Sequence, residues 1–289
     1  MEPDLTRVAR AHLSALVDLA WGDGGASAVR AYLRKRLATA GAVPYGPRTR
    51  DRDDGPLVGL LPAIEPDRRP LVLTARTDLS GASALASVAA VLTAVPGLMA
   101  AGLERAVIVA LCDEARDDGM AHWFDHVRRH DVKAALTVGR LVPGPSVDGD
   151  DVLEVAGVET DARLPQVLDA APHPGVRPWP TRHVEDGLPF ARHGVPYLRL
   201  GAPALGPARG ARIDVTGGAR LAARAAGWTV ALARELDGAR LPGPYAGYDS
   251  TSYEVDAATR SLGPVLAALG GPPTGRADLD RLAARLYEA

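Results

Sequence analysis

Apolar positions recur along the chain in two rhythms. Leu5, Val8, Ala9, Leu13, Leu16, Val17 and Leu19 fall at helical spacing behind Pro3, and Gly22 and Gly24-Gly25 end that run. A second amphipathic helix is expected over Ala26 to Ala40, with Val29, Tyr32, Leu33 and Leu37 on one face and Gly41 as its stop. Short apolar runs then read as strands: Leu57 to Leu61 and Leu71 to Ala75, expected as an antiparallel pair; Arg105 to Cys112, the clearest buried strand; Val132 to Val138; Val152 to Val158; and Val195 to Leu200. Helices are expected between and after them, at Ala84 to Ala94 (ended before Pro96), Gly119 to Arg129, Leu164 to Ala171, one turn at Leu188 to Arg192, and Ile213 to Leu236.

Strands alternating with helices predict an α/β fold: a three-layer sandwich with a mixed, mostly parallel central sheet. Residues 1–240 form the expected α/β domain. Residues 241–289 form a C-terminal loop and helical extension packed on the same domain, with helices at Ala257 to Leu269 and Ala277 to Tyr287. The loop from Tyr245 to Glu254, rich in Gly, Tyr and Ser, is either a lid or interface carrying Tyr245, Tyr248 and Tyr253, or a plain surface loop.

Composition narrows the function classes. A 289-residue chain that is 47% hydrophobic can bury a substantial core. A formal net charge of −2 gives no reason to expect nucleic acid or an anionic membrane as partner. Only Lys35 and Lys133 are lysines, so arginine carries the basic charge as a compositional habit. The single cysteine, Cys112, sits inside an apolar run and reads as an inert core thiol; with no disulfide open to it and no signal pattern at the N-terminus, a soluble cytoplasmic protein is expected.

Candidate chemistry gathers where strands end, the place where open α/β sheets bind ligands. Arg76 and Asp78 follow one strand; Asp113 and Glu114 follow another, with Asp117 and Asp118 behind; His183, Glu185 and Asp186 come later. Other features weigh less. His122, His126 and His130 share a helix face and read as solvated. The Gly22 to Gly25 stretch follows no strand and is no dinucleotide fingerprint. Trp179, between Pro178 and Pro180, lines a pocket wall or pins a loop.

The order of these segments resembles the M28 family of zinc aminopeptidases. Leu73-Thr-Ala-Arg-Thr-Asp78 resembles the family's His-x-Asp strand end, and Gly81 to Ser87 its Gly-Ala-Asp-Asp-Asn-like helix start. Leu111 to Arg116 resembles the Glu-Glu strand end, and Glu185-Asp-Gly-Leu-Pro-Phe to Pro196 the late Ser-Asp-His-x-Pro-Phe motif. The resemblance covers roughly Leu5 to Leu236 and implies the zinc-exopeptidase fold. It also implies departures at the metal positions. Arg76 stands at the first His, Ser83 or Ala84 at the bridging Asp, Glu114 or Ala115 at the second Glu, Gly139 or Arg140 at the metal Asp, and Gly187 at the final His. A catalytic zinc needs about three protein ligands, so no metal and no cofactor are expected.

Without zinc, Asp78, Glu114 or Asp113, and Asp186 would be acid/base carboxylates facing one pocket. Arg76 would bind an anionic group there, with His183, Arg140, Arg182, Ser83 and Trp179 as further substrate contacts. The expected function is a metal-independent enzyme of natural-product biosynthesis. It would act on a small amino-acid-like substrate by elimination or intramolecular cyclisation. The alternatives are a catalytically silent pseudo-peptidase acting as a binding or partner subunit (with a different protein or as a homo-oligomer), and an ordinary zinc aminopeptidase.

Overall fold

The computed structural model describes residues 4–22, 25–45, 56–77, 82–112, 132–141, 153–171, 176–178, 190, 193–202, 214–241, 255, 271 and 274–288. The two N-terminal helices form as their spacing predicts: α1 (Leu5–Trp21), capped by Asp4, whose carboxylate accepts from the Thr6 and Arg7 amides, and α2 (Gly25–Thr39). The strands are β1 (Val43–Pro44), β2 (Leu57–Leu61), β3 (Leu71–Arg76), β4 (Val107–Cys112), β5 (Ala134–Val138), β6 (Leu153–Ala156), β7 (Val176–Pro178) and β8 (Tyr197–Gly201). Among the described residues the remaining α-helices are α3 (Ala82–Ala100), α4 (Leu164–Ala170), α5 (Val215–Gly238) and α6 (Arg276–Glu288).

These eight strands make one sheet in the order β1-β2-β4-β3-β5-β8-β6-β7. The central run β4-β3-β5-β8 is parallel throughout, β6 and β7 are parallel to each other, and the joints β1-β2, β2-β4 and β8-β6 are antiparallel. The mixed sheet is therefore the expected one, with one correction. β2 and β3 are not paired with each other; β4 lies between them, antiparallel to β2 and parallel to β3. The segment joining β2 to β3 is longer than a tight hairpin. It bonds elsewhere, Ile64 N–H to the Leu103 carbonyl (3.1 Å) and Glu65 N–H to that of Glu104 (2.9 Å), and this delivers β4 into the gap. The two edge strands, β1 and β7, are short and each ends in proline, Pro44 and Pro178, which lacks the amide a further strand would pair with.

Alternation along the strands sorts their side chains onto two faces. Leu71, Leu73 and Ala75, Val107, Val109 and Leu111, Ala134, Leu136 and Val138, and Leu198 and Leu200 join α1, α3 and α5 in the main core. On the opposite face Val72, Ile108, Ala110, Cys112, Ala135 and Tyr197 form a second cluster with Val132, Phe190 and Val195. Val72, Ala135 and Phe190 are fully buried, so both faces of the sheet are covered, and the architecture is a three-layer α/β sandwich.

α3 runs past the expected stop. Pro96 sits inside it, and the helix continues to Ala100. The missing amide costs a hydrogen bond, but Leu98 beyond it is buried, and at Gly97 the helix lies against Val230 of α5, where a β-carbon would come within 3.0 Å of Val230 Cγ2. Packing thus holds the turn that local sequence disfavours. In the C-terminal extension, α6 forms nearly as predicted, with Leu279 and Leu282 buried. The helices expected at 119–129 and 257–269, His122, His126 and His130, most of the turn at 188–192, and the loop at 245–254 lie outside the described residues.

Candidate active site

The parallel strands β3, β4, β5 and β8 bring their carboxyl ends to one edge. The ladder runs to its rim. Arg76 of β3 is opposite Cys112 of β4, and Thr77 N–H donates to the Cys112 carbonyl at 2.8 Å. Gly139 N–H donates to the Leu200 carbonyl at 2.7 Å, and Ala202 N–H to the Arg140 carbonyl at 2.9 Å. The Ser87 hydroxyl of α3 donates to the Gly139 carbonyl, fixing the end of β5 to the helix layer.

On the second face this edge carries polar side chains in place of the apolar ones below. One level holds Thr74, Thr137 and Arg199, paired in register across β3, β5 and β8. The next level holds Arg76, Cys112, Gly139 and Gly201. Glu154 of β6, opposite Gly201, shares that face. Thr137 is 3% exposed, and among the described residues its hydroxyl has no hydrogen-bond partner.

Arg199 decides the geometry. Its guanidinium lies over the two glycines at the rim. A β-carbon at Gly139 would stand 2.5 Å from its Cζ, Nε and Nη2, and one at Gly201 would stand 2.9 Å from its Nη1. Only residues without a side chain fit beneath it, since real β-carbons do not approach heavy atoms that closely. The guanidinium thus leans from β8 across β5, toward the strand that carries Arg76, on the face Arg76 shares. Arg140 behaves otherwise. Continued alternation through the two ladder bonds sets it on the opposite face from Gly139, and it is exposed.

Of the residues expected to form the site, Arg76 and Arg140 are described, and Ser83 lies in the first turn of α3. Asp78, Asp113, Glu114, Arg182, His183, Asp186 and Trp179 lie outside the described residues, as does the side chain of Ser83. Cys112 is buried, as an interior thiol would be. Arg199, Thr137 and Glu154 are additions from the tertiary structure. A sequence cue existed for the first: an arginine in the middle of the apolar strand Tyr197-Leu-Arg-Leu-Gly201 is a charge where burial is expected.

By the resemblance to the zinc aminopeptidases, Gly139 or Arg140 falls at a metal-binding Asp and Arg76 at a metal-binding His. The described part of this edge does not suit a divalent cation. Gly139 offers no side-chain ligand and its carbonyl is taken by the Ser87 hydroxyl, the space where its side chain would begin holds a guanidinium, and that charge repels a metal ion. Among the described residues no group of three or more His, Cys, Asp or Glu could hold a metal ion.

The sheet order, the two buried faces and the polar carboxyl edge define a zinc-exopeptidase-like α/β scaffold, and comparison with solved structures finds the same class. The chain is similar to a zinc-dependent exopeptidase from Parabacteroides distasonis, at 14% identity and a TM-score of 0.55 over 79% of this chain and 97% of that one. It is similar to a leucine aminopeptidase precursor from Bacteroides thetaiotaomicron, at 16% identity and a TM-score of 0.57 over 80% and 96%. It is equally similar to a glutaminyl cyclase from the same bacterium, solved with N-acetylhistamine bound, at 16% identity and a TM-score of 0.55 over 80% and 97%. At these identities the likeness is one of fold. No family profile matches the sequence, and no curated protein does. Among the described residues no helix is long and apolar enough to cross a membrane.

Proposed function

We propose that this protein is a metal-independent enzyme on the zinc-exopeptidase scaffold, acting on a small amino-acid-derived substrate by elimination or intramolecular cyclisation, with a place in biosynthesis. The observation that carries the reading is the carboxyl edge of the sheet. Arg76 and the guanidinium of Arg199 face the same side of the strand ends that the scaffold uses for ligands. Guanidinium groups present planar forks of donors to anions and stay charged, so this edge suits a negatively charged group and disfavours a metal. That glutaminyl cyclases are among the structural neighbours supports ring closure as a chemistry this scaffold accommodates.

In the proposed reaction an Arg holds the anionic part of the substrate. A carboxylate among Asp78, Asp113, Glu114 and Asp186 takes a proton, from an amine that then attacks a carbonyl carbon of the same molecule, or from a carbon whose neighbour loses its leaving group. In both cases the leaving group departs with the bonding electron pair and is reprotonated by the acid so formed. His183, Arg182, Ser83 and Trp179 remain proposed substrate contacts; Arg140, on the opposite face of the sheet, does not. Residues 1–240 are proposed to be the peptidase-like domain and residues 241–289 an extension docked on it, which the buried Leu279 and Leu282 of α6 support.

The test pairs metal analysis with turnover. Protein purified without chelator is expected to carry far less than one zinc per chain. Incubated with glutaminyl peptides and other amino-acid derivatives, it should release ammonia or another leaving group, detected by mass spectrometry, in the presence of chelator. Glu114→Gln should abolish the release. Near-stoichiometric zinc together with hydrolysis of aminoacyl chromogenic substrates would establish a zinc aminopeptidase instead.

A further inference from the structure

The polar face of the carboxyl edge holds one arginine that neither the motif pattern nor the family resemblance singles out. Three features of its surroundings converge. Arg199 emerges from the interior of β8, between the buried neighbours Leu198 and Leu200, so its Cα is fixed by the parallel ladder to β5 on one side and the antiparallel ladder to β6 on the other. Its guanidinium rests above Gly139 and Gly201 at separations that any side chain at either position would prevent. Directly across from it in the β5 register is Thr137, buried, with a hydroxyl that has no hydrogen-bond partner. A buried hydroxyl without a partner is costly and is rarely left so in a folded protein. It is satisfied when a polar group or a water enters beside it.

We infer that Arg199, seated on the Gly139–Gly201 shelf, is the residue that binds the carboxylate of the substrate, with the Thr137 hydroxyl at the base of that subsite. This deepens the proposed function and rests on it for the identity of the occupant as an amino-acid carboxylate. The physical reason for the shelf is orientation. Laid over two peptide units that lack side chains, the guanidinium fills with its Nε, Cζ and Nη atoms the space that side chains there would take. A guanidinium whose plane is set in this way meets the condition under which a carboxylate is received by two parallel N–H bonds. Glu154 on the same face lies one residue pair along β6. The assignment does not require that Arg199 lack a protein partner: a carboxylate substrate exchanges with one at comparable charge.

The shelf can be removed without removing the arginine. Gly139 has ordinary backbone geometry, and what a methyl there would strike is the movable end of a long side chain. Gly139→Ala should therefore fold and push the guanidinium away. The probe is N-acetylglycine, with the uncharged N-acetylglycinamide as control, titrated into the full chain labelled with ¹⁵N-glycine. The Gly139 amide resonance is identified by its loss in Gly139→Ala, and that of Gly201 by its loss in Gly201→Ala.

In the unaltered protein N-acetylglycine should shift both resonances with saturation and N-acetylglycinamide should not. Arg199→Lys, which keeps the charge and loses the fork, should weaken binding about tenfold or more. Gly139→Ala, read at Gly201, should do the same, and Thr137→Val should weaken it by a smaller factor. Binding that is unchanged in Arg199→Lys and Gly139→Ala would overturn the inference, as would equal binding of the acid and the amide. Those readouts need no turnover, so they separate the two claims. Substrate consumption that survives in Arg199→Lys with unaltered KM would sink the Arg199 assignment and leave the proposed reaction standing. Specific carboxylate binding without any turnover would do the reverse.

Discussion

At the amino ends of the parallel strands, side chains are bonded into the main chain; at the carboxyl ends, a side chain lies over it. On the amino side the hub is Asp237, near the end of α5. Its carboxylate accepts from the Glu104 and Arg105 amides at 2.8 and 3.1 Å and pairs with the Arg105 guanidinium at 3.7 Å. Its carbonyl accepts from Lys133 Nζ at 2.9 Å, a cation placed on the last carbonyls of the helix. Nearby, the Thr160 hydroxyl accepts from the Tyr197 amide at 3.0 Å and lies 3.1 Å from its carbonyl, tying the start of β8 to the turn after β6. The carboxyl edge has Arg199 over two glycines and a buried Thr137 hydroxyl without a partner. The amino edge is finished for stability, while the carboxyl edge leaves hydrogen-bonding capacity in place. That division is what separates a supporting edge from a binding one in an open α/β sheet.

Mutations that break one edge should spare the other. Asp237→Ala removes a buried carboxylate and leaves two amides and the Arg105 guanidinium without it, so urea unfolding should show a loss of roughly 3–4 kcal/mol. N-acetylglycine binding extrapolated to the folded fraction should be unchanged. An unfolding midpoint within error of the parent would contradict the role given to Asp237.

Two glycines make the contrast sharper, because a β-carbon at each would approach another atom to 2.5 Å. At Gly157, on the amino side, φ is +90° and the obstacle is the backbone carbonyl of Tyr197. Gly157→Ala should cost roughly 2–3 kcal/mol through strain that nothing nearby can relieve. At Gly139 the obstacle is the Arg199 guanidinium, so Gly139→Ala should cost less than about 1 kcal/mol and show its effect in carboxylate binding. Thermal unfolding of both variants side by side checks this; equal losses would remove the distinction between the edges.

Thr137→Val should raise stability by about 1 kcal/mol, since a methyl replaces a hydroxyl without a partner at nearly constant volume. A lower melting temperature would mean that the hydroxyl is already satisfied.

An effect of similar size is a pH dependence on the amino edge. Burial, reinforced by the charge of Arg105, pulls Lys133 down to about 8 from 10.5. Between those values the unfolded chain binds a proton that the folded one does not, so stability should rise with pH from about 8 toward 10.5. After solvent screening the gain is about 1 kcal/mol. Denaturation at pH 8 and pH 10 should show this rise, and Lys133→Met should flatten it.

Much of the frame could be read from the chain. The spacing of Leu5, Leu13 and Leu16 gives α1, and Val107–Cys112, apolar at every position, gives a strand buried on both faces. The fold class follows from strands alternating with helices. Sequence and structure part where a local rule meets tertiary packing. Pro96 signals an end to α3, yet burial of Leu98 and the close approach at Gly97 carry the helix on to Ala100. β2 and β3 look like a pair because they are consecutive, yet β4 takes the place between them. The edge strands are hard to see in the chain because Pro44 and Pro178 argue against a strand, while edge positions tolerate them.

The candidate site divides the same way. Order along the chain is enough to show that charged residues gather after the strands and that Arg76 stands where the resembling family has a metal-binding His. That Arg199 joins this edge, that Gly139 and Gly201 lie beneath it and that Arg140 faces away emerge from the folded sheet. Those facts depend on strand order, register and pleat: β8 follows β5 by some sixty residues in the chain and becomes its neighbour only when the sheet assembles.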